Sequence, residues 1–423
     1  VDVIGAGPRT VAGVLESRGI SVDLATAKQV LSLDKPLSGY DALLVSGMVS
    51  DIPAVSSVSK LWKKVSDGPL IVGGPLAADF HQLRRRVSYE VAVVGEGEQT
   101  LEELVSSGLF GGEAEAEELS KIRGIAYSIE GKHAFTGLRP VMPPEMFRRY
   151  KPSPRVVSKY PLYRACRVYV EVVRGCSNYL RTKIELPDGR RCIDCLRCRE
   201  GDLEERYYCP AGIPPGCGYC SVPILFGPSR SKSTDLVVEE VEGLVEEGVC
   251  RVVLSASDFL DYGRDWLVAP KPLTNPREPP ANLEAIEDLL SSLAGIDKVS
   301  SGKAVVMVEN LKPCLVTEEV ARVLGKYLRD TPVHIGCETA SRELCEAIGR
   351  PSTPEEAVRA VKLLRKHGLR PYLYFIHGLP GETVEDLVET ARFVRSLSGA
   401  GVEKVTVYRF TPLPMSAFGD FPK

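Results

Sequence analysis

Between residues 167 and 408 the sequence repeats one pattern six times: a short run rich in Val, Ile or Tyr, then an amphipathic helical segment. The runs 167–173, 251–254, 304–308, 333–335, 372–376 and 404–408 have the length and branched composition of strands. The segment 234–247 sets Leu236, Val237, Val241, Leu244 and Val245 on one side of a helix. Strands separated by helices run parallel, because a parallel neighbour needs a crossover. Six such units predict a partial (β/α)6 barrel of the TIM type over 165–423. Thr353-Pro354-Glu355-Glu356 is a capping box with proline at the first helical position, and Gly368 stops that helix. Working groups of such barrels sit at the C-terminal strand ends, which here carry Cys176, Asp258, Glu338 and the Gly378-Leu379-Pro380-Gly381-Glu382 turn.

Residues 1–110 are a different kind of α/β sequence. Val-rich runs at 1–4, 42–45, 70–72 and 91–94 alternate with helical segments such as 11–17, predicting a Rossmann-like parallel sheet covered on both faces. Its first turn, Gly5-Ala6-Gly7-Pro8-Arg9-Thr10, has Thr10 where a dinucleotide fingerprint needs its third glycine, so a plain tight turn explains it as well. Residues 111–164 are rich in Gly, Glu and Pro, with a short strand near 124–129, and read as an interdomain linker.

With 44% apolar and 26% charged residues in 423, the chain has the composition of a globular protein of two or more domains, not a disordered one. No run approaches 18 apolar residues, so neither a membrane span nor a signal peptide is expected, and the expected compartment is the cytoplasm; the start at Val1 suggests residues upstream. Scarce Gln beside abundant Glu, Arg and Val is a thermophile's bias. A net charge of -3 gives no general pull on nucleic acid, and the basic stretch from Arg148 to Lys159 reads as a solvated linker.

Of the twelve cysteines, most crowd between Cys166 and Cys250, which in an intracellular chain means metal. Strand 167–173 delivers Cys176 to the loop after it, and Cys217-Gly218-Tyr219-Cys220 follows. Three thiolates can hold an iron-sulfur cluster and leave one iron open to a ligand. Inside the intervening 177–216 lies Cys192-x2-Cys195-x2-Cys198-x10-Cys209-Pro210. That run resembles a bacterial ferredoxin's and implies a second 4Fe-4S cluster, while a four-cysteine zinc site is the alternative. Arg191, Arg197 and Arg199 make its surroundings positive; Cys166, Cys250, Cys314 and Cys345 read as buried small hydrophobes.

These residues resemble the radical S-adenosylmethionine (SAM) enzymes, whose CX3CX2C motif has an aromatic residue before its last cysteine, the place of Tyr219. Ser221-Val222-Pro223, Gly227, Arg230, Ser231 and Ser233 resemble the segment that follows the cluster in the methylthiotransferase branch. The first spacer is here about forty residues instead of three, and because loop-closure entropy grows logarithmically that costs only about 2 kcal/mol. The resemblance implies Cys176, Cys217 and Cys220 as ligands of a 4Fe-4S cluster whose free iron receives SAM. It implies Ser257 and Asp258 for the SAM amino group, Glu338 of Gly336-Cys337-Glu338 for the ribose, and Ile376 with Gly378 for the adenine. Helix caps at Ser257 or Asp258, and a simple strand-to-helix turn at Gly378, are the alternatives. Alternation along the strand puts His334 and Gly336 on the lumen side with Glu338, and Cys337 outward. His334 thereby becomes a catalytic acid/base candidate, a packed histidine being the alternative. Tyr408-Arg409-Phe410-Thr411-Pro412 resembles the last barrel strand.

Ser46-Gly47-Met48, Ile71-Val72-Gly73-Gly74-Pro75 and Val94-Gly95-Glu96-Gly97-Glu98 resemble the cobalamin-binding domain that precedes many radical enzymes. Ser46, Gly73 and Gly74 would flank the cofactor's tail. No Asp-x-His-x-x-Gly loop is present to offer cobalt a histidine, and a domain that keeps the fold without the cofactor is the alternative. The implied activity is reductive SAM cleavage and radical modification of an unactivated carbon, with cobalamin-dependent methylation ahead of methylthiolation of tRNA or protein, since the first 165 residues contain no cysteine for a sulfur-donating cluster. The implied partner is a low-potential donor such as ferredoxin or flavodoxin; nucleic acid has no support in the residues. A zinc-stabilised Rossmann-like binding protein is the reading from another class.

Overall fold

Short runs of Leu, Ile and Val build the first sheet of the structure, a computed structural model describing residues 3–422 except 113 and 130. Strands β1 (Leu43–Ser46), β2 (Leu70–Gly73) and β3 (Val91–Val93) lie side by side and parallel. Leu70, Val72, Val91 and Ala92 are fully buried, as expected of apolar runs covered on both faces. Helices α1 (Ala6–Ser17), α2 (Ile52–Val65) and α3 (Glu98–Ser106) supply covering faces, with Trp62 and Leu104 fully buried.

Three expectations for this region are corrected. The sheet is mixed, because β4 (Ile125–Ile129) and β5 (Lys132–Phe135) add antiparallel beyond β3 in the order β1-β2-β3-β4-β5. Residues 111–164 therefore contribute structure to the first unit and are not a bare linker; Ile125 and Tyr127 pack with Ile71, Val91 and Leu104 in one apolar cluster. The outer strand hides itself in the sequence, since Lys132, His133 and Ala134 are exposed, the charged edge that blunts further pairing. The two-residue strand Val3–Ile4 does not join this sheet.

The chain separates into two units, Val1–Cys166 with Glu246–Gly248, and Arg167–Val245 with Val249–Lys423. The second contains β6 (Arg167–Glu171), β7 (Arg251–Ser255), β8 (Val305–Val308), β9 (Pro332–Glu338), β10 (Arg370–His377) and β11 (Lys404–Arg409). Neighbours are parallel and follow chain order, β6-β7-β8 and β9-β10-β11, and a parallel bridge from Leu311 to Ile335 joins the two sets. Five helices fill the crossovers: α4 (Thr234–Glu246), α5 (Leu283–Ala294), α6 (Glu318–Tyr327), α7 (Pro354–Lys366) and α8 (Val384–Ser396). This is the six-unit partial barrel that the strand and helix periodicities predict. Val237, Val241 and Leu244 of α4 are fully buried, each contributing about 1.5–3 kcal/mol by leaving water. The box at α7 forms as read, with the Glu356 amide donating to Thr353 Oγ1 at 3.3 Å and the Thr353 amide to Glu356 Oε2 at 2.9 Å.

Candidate active site

The loop after β6 carries Cys176 against the backbone of 227–228. Gly175 has φ 83°, and a Cβ there would lie 2.2 Å from the Pro228 carbonyl oxygen, so glycine is required by both conformation and space. The Cys176 amide then donates to the Gly227 carbonyl at 3.1 Å. On the second segment, Gly218 donates to the Ile348 carbonyl at 2.8 Å and accepts from the Phe418 amide at 2.8 Å, while the Cys220 amide closes a turn onto the Cys217 carbonyl. Asn178 links the two loops: its amide is 3.4 Å from Cys176 Sγ, and its Nδ2 is 3.2 Å from Cys217 Sγ and 3.0 Å from the Gly349 carbonyl. The three thiols sense one another. Burial, then repulsion from Cys217 and Cys176, pushes the Cys220 thiol up to about 12; burial likewise raises Cys176, against the pull of Lys312. Among the described residues no three His, Cys, Asp or Glu side chains converge on a single ion. An iron-sulfur cluster asks for no such convergence, because each thiolate bonds its own iron.

A buried charge network pins the first loop. Asp261 accepts from the Ser177 amide at 3.1 Å, the Ser177 hydroxyl at 2.9 Å, the Ser229 hydroxyl at 2.6 Å and the Arg264 guanidinium. Lys312 Nζ lies 2.9 Å from Asp261 Oδ2, 3.2 Å from Asp258 Oδ2 and 2.8 Å from Ser177 Oγ. Burial opposes the charge of Lys312, yet Asp261, Cys176 and Asp258 together hold it above its ordinary value. Burial also opposes the charge of Asp261, and Lys312 and Arg264 overcome it, so its carboxyl is held down. Asp258 is fully buried: its Oδ1 accepts from the Leu260 and Lys312 amides as a helix cap, while its Oδ2 lies 3.2 Å from Lys312 Nζ without a hydrogen-bond partner, and burial raises its carboxyl. Ser257 donates to the Gly175 carbonyl and braces the cysteine loop.

At the end of β9, Glu338 has φ 69°, where the register against β10 shifts between Gly336 and Glu338. A non-glycine residue there carries strain of about 1–3 kcal/mol, a mark of functional positions. Arg350 offsets it: Nη1 lies 3.3 Å from Glu338 Oε1 and 3.0 Å from the Tyr219 hydroxyl, and Nη2 donates to the Gly336 carbonyl. Burial raises the Glu338 carboxyl, with Arg350 and Tyr219 opposing. Glu338 and Tyr219 thus meet through a residue that the sequence reading passed over. Ile376 packs with Tyr219 against the cluster of Ile348, Leu379, Phe410 and Phe418. Gly378 has φ 80° and open space where a Cβ would stand.

His334 stacks on Tyr372, with ring centroids 5.7 Å apart, and meets the Tyr374 ring edge-on at 5.3 Å. Its Nδ1 is 4.0 Å from Glu309 Oε1, which accepts from the Tyr169 hydroxyl at 2.9 Å. Burial, then Arg167 and Lys404, pushes the imidazole down to about 4, so it is neutral near pH 7, with one ring nitrogen to donate and one to accept a hydrogen bond. Cys337 is buried on the other side, as alternation predicts. Cys250 is exposed, correcting its reading as a buried hydrophobe; Cys166 and Cys345 are buried and Cys314 is half-buried. Lys312 had a signal in the sequence, since it follows β8 at a strand end, the place where barrels put working groups. Arg350, after a short helix, had none.

In the first unit, Ser46 ends β1, Gly73 ends β2 and Gly74 follows. Gly74 has φ 78°, and a Cβ there would lie 2.8 Å from Ser46 Oγ and 3.0 Å from the Gly47 carbonyl oxygen, so the two strand-end loops approach as only glycine allows. Ser46 and Met48 are exposed, and a Cβ at Gly73 would meet nothing within 4 Å. This open edge lies at the carboxyl ends of parallel strands, where open α/β sheets bind ligands.

Residues 208–394 match the radical SAM superfamily. The chain is 47% identical over its whole length to an uncharacterized protein of Methanopyrus kandleri, covering 75% of it. It is 31% identical over 46% of its length to the ribosomal protein uS12 methylthiotransferase RimO of Thermotoga maritima, covering 43% of that enzyme. Among solved structures it resembles the radical SAM methyltransferase TsrM of Kitasatospora setae with cobalamin and a [4Fe-4S] cluster bound, with a TM-score of 0.68 and 14% identity over 99% of this chain and 76% of that one. It also resembles the cobalamin-dependent SAM radical enzyme OxsB with aqua-cobalamin bound, with a TM-score of 0.64 and 14% identity over 99% of this chain and 53% of that one. At these identities the two structures speak for fold alone. Residues 208–394 thus carry a radical SAM domain, and that domain implies a 4Fe-4S cluster and SAM. No helix among the described residues is long and apolar enough to cross a membrane.

Proposed function

We propose that this radical SAM enzyme holds its cluster on Cys176, Cys217 and Cys220 and methylates an unactivated carbon with the help of cobalamin on the first unit. The observation that carries the reading is the gathering of three thiols, from segments about forty residues apart, at the C-terminal end of a parallel barrel, with Asn178 bonded to two of them. When bound, the cluster supplies one electron to the SAM sulfonium and so releases a 5'-deoxyadenosyl radical. The chain's own part is to hold and to exclude. The network of Asp261, Lys312 and Arg264 fixes the Cys176 loop, with Asp258 and Ser257 as its braces. Glu338, poised by Arg350, offers its carboxylate to ribose hydroxyls, and Ile376 with Gly378 offers an apolar wall and open backbone to adenine. His334 and Glu309 face the lumen and position substrate.

Support for cobalamin comes from the exposed Ser46 and open Gly73 edge and from the cobalamin bound in the TsrM and OxsB structures. Methylthiolation of tRNA or protein is the second reading, favoured by the identity to RimO and opposed by the absence of cysteine before Cys166. A reduced low-potential carrier such as ferredoxin or flavodoxin is the expected electron donor. Reduced, anaerobically reconstituted protein incubated with methyl-labelled SAM, with and without hydroxocobalamin, tests this. Cobalamin that takes up label and hands it on supports methylation; 5'-deoxyadenosine released alike with and without cobalamin, and no label transferred, refutes it.

A further inference from the structure

The insertion between the first and second cysteines of the barrel site is built around its own cavity. Cys192, Cys195, Cys198 and Cys209 all line one small pocket. Asp194 and Leu196, flanking Cys195, have φ 48° and 59°, two non-glycine residues in the left-handed region within one short loop. Such strain costs about 1–3 kcal/mol a residue and persists where a constellation must be aimed. A lone tetrahedral zinc would draw each sulfur to about 2.3 Å. A cuboidal cluster instead bonds each thiolate to a different iron and occupies the space between them.

Asp194 lines this cavity and Arg199 Nη1 lies 3.6 Å from Glu346 Oε1, but two buried arginines beside it face no carboxylate at ion-pair distance among the described residues. Arg181 and Arg206 are 3% and 7% exposed. Arg181 donates to the carbonyls of Ile213, Tyr207, Arg206 and Tyr179, and Arg206 to those of Gly201, Cys198 and Arg199. Each donates to backbone oxygens alone, and neither forms an ion pair with a carboxylate among the described residues. Arg199 also lines the pocket, with its Nη2 buried and without a hydrogen-bond partner. Buried cations need a counter-charge, and four thiolates around an iron-sulfur core provide one.

Aromatic rings lead from this cavity toward the barrel cysteines. Tyr208, 71% exposed, lines the pocket; its ring is 5.3 Å from Tyr207, whose ring is 5.4 Å from Tyr179. Tyr179 is buried three residues after Cys176, with the Arg181 guanidinium 5.6 Å from its ring centroid.

We propose that the insertion is an electron port: Cys192, Cys195, Cys198 and Cys209 hold a 4Fe-4S cluster, charge-compensated by Arg181 and Arg206, that feeds the barrel site. The port cluster gains one electron as a reduced low-potential carrier loses one, then returns to its oxidised state as the barrel site gains that electron. Nothing else is consumed. The inference rests on the proposed barrel site for its destination, though not for its iron.

Two variants separate the failures. Cys176→Ala/Cys217→Ala/Cys220→Ala, reconstituted anaerobically, should keep about four irons and four sulfides per chain, with a reduced-state paramagnetic signal that SAM leaves unchanged. Zinc in place of iron overturns the port. Cys192→Ala/Cys198→Ala should keep a SAM-responsive signal from the barrel site and be reduced by dithionite at the wild-type rate, yet more than tenfold more slowly by reduced ferredoxin. An equal rate with ferredoxin overturns the relay. If all iron disappears from this second variant, the barrel assignment fails and the port stands. In the first variant, Arg206→Met should lower the port's reduction equilibrium about tenfold, about 59 mV for one electron, and Arg206→Lys should restore most of it; an unmoved potential overturns the role given to Arg206.

Discussion

Cys176 is buried, its amide bonded to Gly227 and its sulfur beside Asn178, whereas Cys195 is exposed and Cys192, Cys198 and Cys209 are half-buried around an open pocket. The first set hangs from strand ends and from 227–228, so the barrel's own hydrogen bonds place its sulfurs before any metal arrives. The second set sits on an insertion tied down by arginine bonds to carbonyls, by Thr274 to the Leu203 carbonyl, by Arg199 to Glu346 and by Leu186 and Ile213 in an apolar cluster with Ile348 and Phe418, yet its sulfurs stay more exposed. Pre-organised sulfurs suit a site that must leave one iron open and still bind tightly. More exposed sulfurs on an insertion suit a centre that is fully ligated and contributes its binding energy to local order.

The largest expected effect breaks the comparison at its rigid end. Cys176→Ala should cut 5'-deoxyadenosine formation by well over 100-fold, beyond the about 10–100-fold typical of losing an outer-shell partner; product analysis after anaerobic turnover checks it. Next is Lys312→Met, which strands the buried carboxylates of Asp258 and Asp261. Breaking a buried pair costs about 3–5 kcal/mol, and because Arg264 still neutralises Asp261 the loss should fall at the lower end, read from urea unfolding of the apo protein. Metal removal probes the more exposed end. Chelation should speed proteolysis within 190–210 severalfold and leave the barrel's fragmentation pattern unchanged, as mapped by mass spectrometry.

Gly336→Ala sharpens the account of the ribose side. A Cβ there would lie 2.3 Å from Glu338 Oε1 and 3.1 Å from Arg350 Nη2, so the carboxylate must move, and SAM affinity should fall about tenfold, near 1.4 kcal/mol, in equilibrium binding. The smallest effect concerns His334. Its imidazole is held near 4 against an ordinary 6.5, so between those values the unfolded chain binds more protons than the folded one and stability rises with pH across that window. His334→Phe keeps the stack on Tyr372 and should remove this slope, a fraction of the about 1.4 kcal/mol per pH unit that a full proton difference gives, measured by denaturation at pH 4.5 and 6.5.

How far these sites were legible depended on whether their cause was local. Alternation along 333–338 set His334 and Glu338 on one face because neighbouring residues decide which way a strand points them. The Thr353 box and the six strands were equally local. Asp258 was only half legible because its environment is set by Lys312, a residue on another strand end, and a carboxylate looks the same in sequence whether it faces solvent or a buried ammonium. Arg350 was invisible for the same reason, since it connects Tyr219, Gly336 and Glu338 from three separate segments. The strand near 124–129 was legible, but the outer strand of its hairpin was missed because Lys132 and His133 mask the alternation that an edge strand does not need. The insertion's sequence drew attention to Arg191, Arg197 and Arg199, whereas Arg181 and Arg206 gain their meaning only from burial.

The most direct test of the central claim is electron paramagnetic resonance of the reduced Cys192→Ala/Cys198→Ala protein, in which any remaining cluster belongs to Cys176, Cys217 and Cys220. A spectrum whose g-values shift when SAM is added shows an iron left open for it and is the predicted result. A cluster spectrum that SAM leaves unchanged, or a protein that binds no iron there while still folded, contradicts the account.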